Sequence, residues 1–182
     1  MIVSNEYVFV FVPRTASTSI ESAILNNDSN AISIHPDNPP FQSQTYSEAQ
    51  KYGKPVFSVI REPTEWLLSM YNSHSALWGD RDLNRYRPRL NASKELTKDD
   101  ILELWYFLSK WYLHLGCYQQ IDWIGDSKVI LFEEIHNHFP FELPVLNSSE
   151  KKILKLNDEA LELASQIWKN DYELYHNLKG QK

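Results

Sequence analysis

The sequence predicts an α/β fold, a three-layer sandwich in which helices cover both faces of a central parallel sheet. Three apolar runs, at 8–12, 56–60 and 129–132, are rich in β-branched and aromatic residues and have the length of strands buried on both faces. Segments with apolar residues at helical spacing lie between these runs. Strands that alternate with helices favour a parallel sheet. The length of 182 residues fits one domain, which we assign to 1–182.

The elements follow one another along the whole chain. In order, they are a strand at 8–12, a helix ending near 26–27, a strand at 31–35, a short helix at 47–52 closed by Gly53, a strand at 56–60, a helix of about three turns beginning at Pro63, a helix at 99–124, a strand at 129–132 and a last helix capped by Asp158. Prolines exclude regular structure from 37–44, and the polar stretch 79–98 has no apolar period. We expect the first to be a loop and the second to be a long loop or a lid over a site.

The junction after the first strand has the composition of an anion site. Pro13 ends the strand, and one arginine and five small residues, four of them with hydroxyl groups, lead into the first helix. A strand, a tight turn and a helix start direct main-chain N–H groups and the positive end of the helix dipole to one spot. This stretch therefore predicts a cradle for a phosphate or sulfate group.

Composition limits the classes of function. The formal net charge of -6 argues against a general nucleic-acid binder. Cys117 is the one cysteine, which excludes an intramolecular disulfide and argues against a cysteine-based zinc site. No apolar run approaches a membrane span, and Asn5 and Glu6 stand where a signal peptide needs apolar residues. We expect a cytoplasmic protein with no nucleic-acid or membrane partner, of undetermined oligomeric state.

Residues 13–19 read Pro-Arg-Thr-Ala-Ser-Thr-Ser. The turn lacks the Gly-x4-Gly-Lys-Ser/Thr pattern of nucleoside triphosphatases. It resembles the 5′-phosphosulfate loop of sulfotransferases, in which Pro-Lys/Arg-Thr/Ser-Gly/Ala-x-Thr-Ser follows the first strand. Ala16 stands where glycine is commoner in that family, so we expect this position not to need a positive φ. A hydroxyl-rich helix start is also an ordinary N-cap.

A second motif, at 56–73, is similar to the 3′-phosphate motif of the same family. There a strand ends in Arg, Asp/Glu-Pro follows, and a Ser comes eight positions after the Arg; these positions are Arg61 and Ser69 here. An arginine at a strand end can form a fork on a phosphate, which a helical hydroxyl completes. The structural alternative is a pairing of Arg61 with Glu62 or another carboxylate. More loosely, 119–135 is similar to the family's late strand that ends in a Glu, and 143–152 with 171–175 resembles the C-terminal helix region of the carbohydrate sulfotransferase branch.

The resemblance implies a P-loop-like sulfotransferase. Such an enzyme transfers the sulfuryl group of 3′-phosphoadenosine 5′-phosphosulfate (PAPS), its co-substrate, to an acceptor hydroxyl or amine, and no metal is expected. Arg14 would stabilise the charge on the bridging oxygen, because a guanidinium stays protonated. Most of the family has lysine there, and the tyrosylprotein branch has arginine. The implied cofactor contacts are Arg14, Thr15, Ala16, Ser17, Thr18 and Ser19 for the 5′-phosphosulfate, and Arg61 and Ser69 for the 3′-phosphate.

Three residues are candidates for the general base that takes the acceptor's proton. His35 follows the predicted second strand, at the end where ligands of open α/β sheets bind, and an unperturbed pKa of about 6.5 suits proton abstraction. The heparan 2-O-sulfating type of the family, which this chain resembles in its first turn, uses a histidine between the two motifs. Glu48 is the second candidate, since other branches use glutamate. His74, about one helical turn beyond Ser69, is the third.

Other polar and aromatic residues have two interpretations each. Trp78 and Tyr86 are placed to stack on adenine or a sugar, or serve as packing. Four arginines of the polar stretch would receive an anion or form a solvated face: Arg81, Arg85, Arg87 and Arg89. His136 and His138, two positions apart in a polar loop, are interpreted as accidental neighbours rather than metal ligands.

The sequence therefore predicts a sulfotransferase whose acceptor is a carbohydrate or another hydroxylated small molecule. Two alternatives remain open. A nucleotide kinase of similar fold would require Mg²⁺ and a metal-binding acid near Thr18 or the third strand. A non-catalytic nucleotide-binding module would bind the nucleotide without turnover.

Overall fold

The computed structural model describes residues 1–34, 44–77, 95–111, 116–145 and 154–181, and at 73–77 and 110–111 it describes the main chain alone. A mixed sheet of five strands forms the centre of this part of the chain. The strands are β1 (Ile2–Val3), β2 (Val8–Val10), β3 (Ile32–Ser33), β4 (Val56–Ile60), β5 (Glu95–Leu96), β6 (Lys128–Leu131) and β7 (Lys155–Leu156). The helices are α1 (Ser17–Asn27), α2 (Tyr46–Ala49), α3 (Pro63–Leu77), α4 (Lys98–Trp111), α5 (Gln120–Ile124), α6 (Ile135–His138), α7 (Asp158–Ile167) and α8 (Lys169–Gly180).

The sheet has the strand order β3-β1-β2-β4-β6. Strands β2, β4 and β6 are parallel, as predicted, whereas β1 runs antiparallel to both of its neighbours. The prediction of a purely parallel sheet was therefore wrong. A turn joins β1 to β2, in which Ser4 N donates to Tyr7 O over 2.9 Å and Ser4 Oγ accepts the N–H groups of Glu6 and Tyr7. Two residues give no readable period, which is why β1 was missed.

Side chains of β2 and the residues after it alternate between two apolar clusters, one on each face of the sheet. Val8, Val10 and Val12 belong to the cluster formed with residues of α3, α4, α7 and α8. Phe9 and Phe11 belong to the cluster formed with residues of α1 and α6. This run is buried on both faces, as predicted, and helices cover both sides of the sheet. The layered α/β class is thus confirmed.

Several local predictions agree with the structure. The first helix ends at Asn27, α3 begins at Pro63, and the short α2 with its following 3-10 turn ends at Gly53, which has φ +62°. Each is a case where one residue type determines the chain direction, since proline fits the first helical position and glycine adopts positive φ without strain.

The predicted long helix at 99–124 was wrong. Helix α4 ends at Trp111, Gly116 has φ +65°, and the separate α5 begins only at Gln120. The described part of α4 has a buried face and an exposed apolar edge. The buried face consists of Ile101, Leu104, Phe107 and Leu108, whereas Leu102 and Trp105 are more than 40% exposed.

The predicted last helix is two helices that meet at Trp168. Its N-cap is Asn157 rather than Asp158, because Asn157 Oδ1 accepts the N–H of Ala160 over 2.8 Å. The buried indole of Trp168 donates from Nε1 to Tyr118 O over 2.8 Å, which fixes the junction between α7 and α8.

A second, two-stranded sheet lies at the end of the predicted lid. β5, expected to be loop, pairs in parallel with β7. Residues 79–94 of that loop lie outside the described residues. No helix within the described ranges is long and apolar enough to cross a membrane.

Candidate functional site

The carboxyl ends of β2, β4 and β6 meet at one edge of the sheet. Val10 is paired with Ser58, and Ile60 with Leu131, so these three parallel strands are in register. A charged side chain follows each strand: Arg14 after β2, Arg61 after β4 and Glu133 after β6. Ligands of open α/β sheets bind at such an edge, and the structure places both sequence motifs there.

The first loop, residues 11–16 between β2 and α1, is held by two hydrogen bonds. Trp66 on α3 donates from Nε1 to Pro13 O over 2.8 Å, and its indole is fully buried. The hydroxyl of buried Thr15 donates to Val12 O over 2.7 Å. That hydroxyl is directed toward the end of the strand in this conformation, so the cofactor contact predicted for Thr15 would use its main-chain N–H rather than its hydroxyl.

Two residues of the loop have left-handed main-chain conformations. Arg14 has φ +64° and Ala16 has φ +61° and ψ 22°. The prediction that position 16 does not need a positive φ was wrong. A left-handed alanine is strained, and such strain concentrates at functional sites. Ala16 is nevertheless the N-cap residue of α1, and the reversal that it makes begins the helix.

The hydroxyl residues of the first helical turn differ in exposure. Ser17 is partly exposed, Thr18 is exposed and Ser19 is buried. Within the described residues, no side-chain hydrogen bond caps α1 at Ala16, and its first turn contains no acidic residue. Within the described part of α1, its own first turn thus offers no acidic side chain to the positive end of the helix dipole.

A hydrogen bond joins the two motifs directly. Arg14 Nε donates to Ser69 Oγ over 3.2 Å, and Ser69 lies two turns into α3. The residue predicted to hold the 5′-phosphosulfate thus contacts one predicted to hold the 3′-phosphate. The sequence predicted each motif, but not this contact between them.

Arg61 follows β4 directly and its guanidinium carbon lies 4.9 Å from the centre of the Phe132 ring, beyond β6. Its side chain is 22% exposed and forms an ion pair with the 61% exposed Glu65 at 3.4 Å. The alternative of a structural pairing with a carboxylate is thus seen, with Glu65 rather than Glu62. An i,i+4 pair with so exposed a carboxylate is weak, so an anion of higher charge can replace Glu65.

The main chain of Arg61 is held by a residue that the sequence analysis missed. Gln120 Oε1 accepts the N–H of Arg61 over 2.9 Å, and Gln120 Nε2 donates to Arg61 O over 2.9 Å. Asp171 on α8 in turn accepts the N–H groups of Gln120 and Ile121 over 2.8 and 2.9 Å. Gln120 and Asp171 are both fully buried. No local pattern signals such contacts, because the partners are 50 or more residues apart.

The charge state of Asp171 is sensitive to its environment. Burial raises the pKa of this carboxyl from 3.8 to about 7, although the N–H groups of Ile121 and Gln120 act to lower it. Asp122 nearby acts in the same direction as burial. Loss of the charge therefore occurs near neutral pH.

Two tyrosines of α8 contact the segments that surround Arg61. The Tyr172 hydroxyl lies 2.9 Å from that of Thr64, and the Tyr175 hydroxyl donates to Glu133 Oε1 over 2.7 Å. Burial and the Glu133 carboxylate raise the pKa of Tyr175, so it remains a donor. These contacts agree with a structural role for Glu133.

The structure describes one of the three base candidates in full. Glu48 belongs to the capping box of α2, where its Oε2 accepts the N–H of Thr45 over 2.8 Å. His35 lies outside the described residues, as do Trp78, Tyr86 and the four arginines of the polar stretch. His74 lies on α3, and its side chain is outside the described set.

His136 and His138 lie on α6 rather than in a loop. His138 Nε2 is 4.0 Å from Glu134 Oε2. Among residues that the structure describes, no group of three or more histidine, cysteine, aspartate and glutamate side chains is arranged to hold a metal ion.

Comparison with known proteins assigns neither a family nor a function to this chain. No family model, curated protein or solved structure matches this chain.

Proposed function

We propose that this protein is a PAPS-dependent sulfotransferase that acts on a hydroxylated small molecule, with a carbohydrate as the first acceptor class to test. The observation that carries the proposal is the Arg14 Nε to Ser69 Oγ hydrogen bond of 3.2 Å. It brings together two motifs that resemble the two ends of one cofactor site, at the carboxyl edge where Arg61 also leaves the sheet.

The first loop supports binding of the phosphosulfate end. Arg14 supplies a permanent positive charge, and the start of α1 supplies main-chain N–H groups and the helix dipole. An anion at this position would accept hydrogen bonds from the helix-start N–H groups, as a capping side chain does in other helices. Ser17 and Thr18 offer hydroxyls with access to solvent.

The second junction supports binding of the 3′-phosphate. The Arg61 guanidinium lies against Phe132, and its one described ionic contact is the exposed Glu65. A phosphate dianion offers more charge and a bidentate geometry, so it competes well with this carboxylate.

The reaction is an in-line transfer. The bond between sulfur and the bridging oxygen of the 5′-phosphate breaks, while a bond forms between sulfur and the acceptor oxygen. The acceptor's proton passes to a general base, for which His35, Glu48 and His74 are the candidates. Arg14 stabilises the charge that develops on the bridging oxygen. Because Glu48 already accepts the Thr45 N–H, its assignment as base requires that it leave the capping box.

Calorimetry with and without the 3′ group tests the proposal. With EDTA present, 3′-phosphoadenosine 5′-phosphate should bind about a hundredfold more tightly than adenosine 5′-phosphate, and Arg61→Ala should remove most of that difference. Lys128→Ala is the matched control, since Lys128 also lies over a phenylalanine ring, that of Phe57, but at the opposite edge of the sheet.

The other outcomes separate the alternatives. Equal affinity for both nucleotides contradicts the proposal, and binding that requires Mg²⁺ favours the nucleotide kinase. Tight binding without transfer of labelled sulfate to a broad acceptor panel favours the non-catalytic module. Mass spectrometry of the acceptor pool for an added sulfate identifies the substrate.

A further inference from the structure

The polar atoms of the Arg61 main chain lie just beyond the end of a strand. β4 ends at Ile60, so the N–H and C=O of Arg61 leave the sheet ladder at a point that is partly buried. Buried main-chain groups need partners. The side chain of Gln120 supplies both, through two hydrogen bonds of 2.9 Å, in the same way as a neighbouring strand would.

Gln120 is itself held in place from a third element. The carboxylate of Asp171 spans the N–H groups of Gln120 and Ile121, with one oxygen on each. Both side chains are fully buried, so neither has solvent as a substitute partner. The position of Arg61 is therefore set through a relay of four hydrogen bonds from α8 by way of α5.

The relay ends on the main chain of Arg61 and leaves its guanidinium partly exposed. Arginine loses considerable side-chain entropy when it is fixed, and a mobile main chain would add to the loss on binding. Because the Cα of Arg61 is held, only the side-chain torsions remain to be ordered when an anion arrives. Such preorganisation increases affinity without adding a contact.

We propose that Gln120 and Asp171 are positioning residues that hold Arg61 for the 3′-phosphate of the nucleotide, without touching the nucleotide themselves. This inference rests on the proposed function. It assigns discrimination of the 3′-phosphate to a pair of residues that belong to neither motif.

Gln120→Met tests the relay, because methionine has a similar length and lacks both polar groups. It should weaken binding of 3′-phosphoadenosine 5′-phosphate about tenfold and leave the affinity for adenosine 5′-phosphate within about twofold. Asp171→Asn should act in the same direction, since its amide cannot accept both N–H groups. Gln166→Met, on the exposed part of α7, controls for the substitution. Asn157→Ala, which removes the cap of α7, controls for lost stability.

Amide hydrogen exchange provides a readout that needs no nucleotide. In Gln120→Met the Arg61 amide should exchange about tenfold faster, while the amides of Val56–Ile60 keep their protection. Unchanged exchange at Arg61 would overturn the inference whatever the nucleotide data show.

The two failures are distinguishable. If the wild-type protein does not prefer the 3′-phosphorylated nucleotide, the proposed function fails and the inference fails with it. If the wild type has the preference and Gln120→Met retains it, or if both nucleotides lose affinity equally, the inference alone fails.

Discussion

Arg14 Nε and Ser69 Oγ lie 3.2 Å apart across 55 residues of sequence. Arg14 follows β2, and Ser69 lies on the helix that follows β4, so the bond joins two neighbouring strand-to-helix junctions. The contact fixes the distance between these two junctions.

A double-mutant cycle should detect this contact in the free energy of unfolding. We expect Arg14→Ala and Ser69→Ala to show a coupling of about 1 kcal/mol, because the bond is partly buried. Urea denaturation of the two single variants and the double variant gives this value. Arg14→Ala combined with Ser165→Ala should be additive, since the Ser165 hydroxyl donates within its own helix. A coupling near zero for Arg14 and Ser69 would contradict the contact.

Ala16→Gly should leave the protein equally stable or stabilise it by up to about 1 kcal/mol. Glycine relieves the strain of φ +61°, and the entropy that it adds to the unfolded chain offsets part of the gain. Ala23→Gly in the interior of α1 is the matched control and should cost about 1 kcal/mol or more. Equal losses in the two variants, measured by chemical denaturation, would mean that Ala16 is not left-handed in solution.

Gly125→Ala should destabilise the protein by about 3 kcal/mol or more. Gly125 has φ +50° and ψ -135°, and a Cβ there would lie 2.6 Å from Cδ1 of Tyr46. Gly53→Ala is the control, since Gly53 also has a positive φ but a Cβ would meet nothing within 4 Å among the described atoms; it should cost only about 1 kcal/mol. Thermal and urea unfolding measure both. Similar losses would indicate that Tyr46 moves away.

We expect Asp171 to make the free energy of unfolding fall as pH rises, which is the opposite of the usual effect of a carboxyl. Its folded pKa of about 7 lies above its usual value of 3.8, so between these values the folded chain keeps a proton that the unfolded chain has released. The free energy of unfolding therefore falls as pH rises through this window, by at most about 1.4 kcal/mol per pH unit from this group, and levels off above it.

The comparison of wild type with Asp171→Asn isolates this contribution, because asparagine does not titrate. The stability of the wild type minus that of the variant should decrease from about pH 5 to about pH 7 and stay constant beyond. Parallel stability profiles of the two proteins would show that the carboxyl has an ordinary pKa in the fold.

The sequence was sufficient for features that a short window determines. The buried run that contains β2, the start of α3 at Pro63 and the end of the 3-10 turn at Gly53 were all predicted from residue type and period. The placement of Arg61 and Arg14 after strands was predicted in the same way, because Arg61 follows an apolar run directly and Arg14 follows one after Pro13.

Features that depend on distant partners were not predicted. β1 has only two residues, and it is a strand because β2 and β3 pair with it. Helix α5 begins at Gln120, beyond Gly116 with its φ of +65°, and Gln120 contacts Arg61 and Asp171, which are 50 or more residues away. The conformation of Ala16 could not be inferred from its type, since a short loop fixed by Thr15 and Trp66 imposes it.

Helix α8 contacts three segments around the candidate site. Asp171 accepts from α5, the Tyr172 hydroxyl lies beside that of Thr64 on α3, and Tyr175 donates to Glu133 after β6. These residues lie in the first two turns of α8, so unfolding of the helix, unlike fraying of its last turn, breaks all three contacts. We therefore expect opening of the C-terminal helix and loss of order around Arg61 to occur together, and an anion bound to Arg61 to raise the free energy of opening of α8.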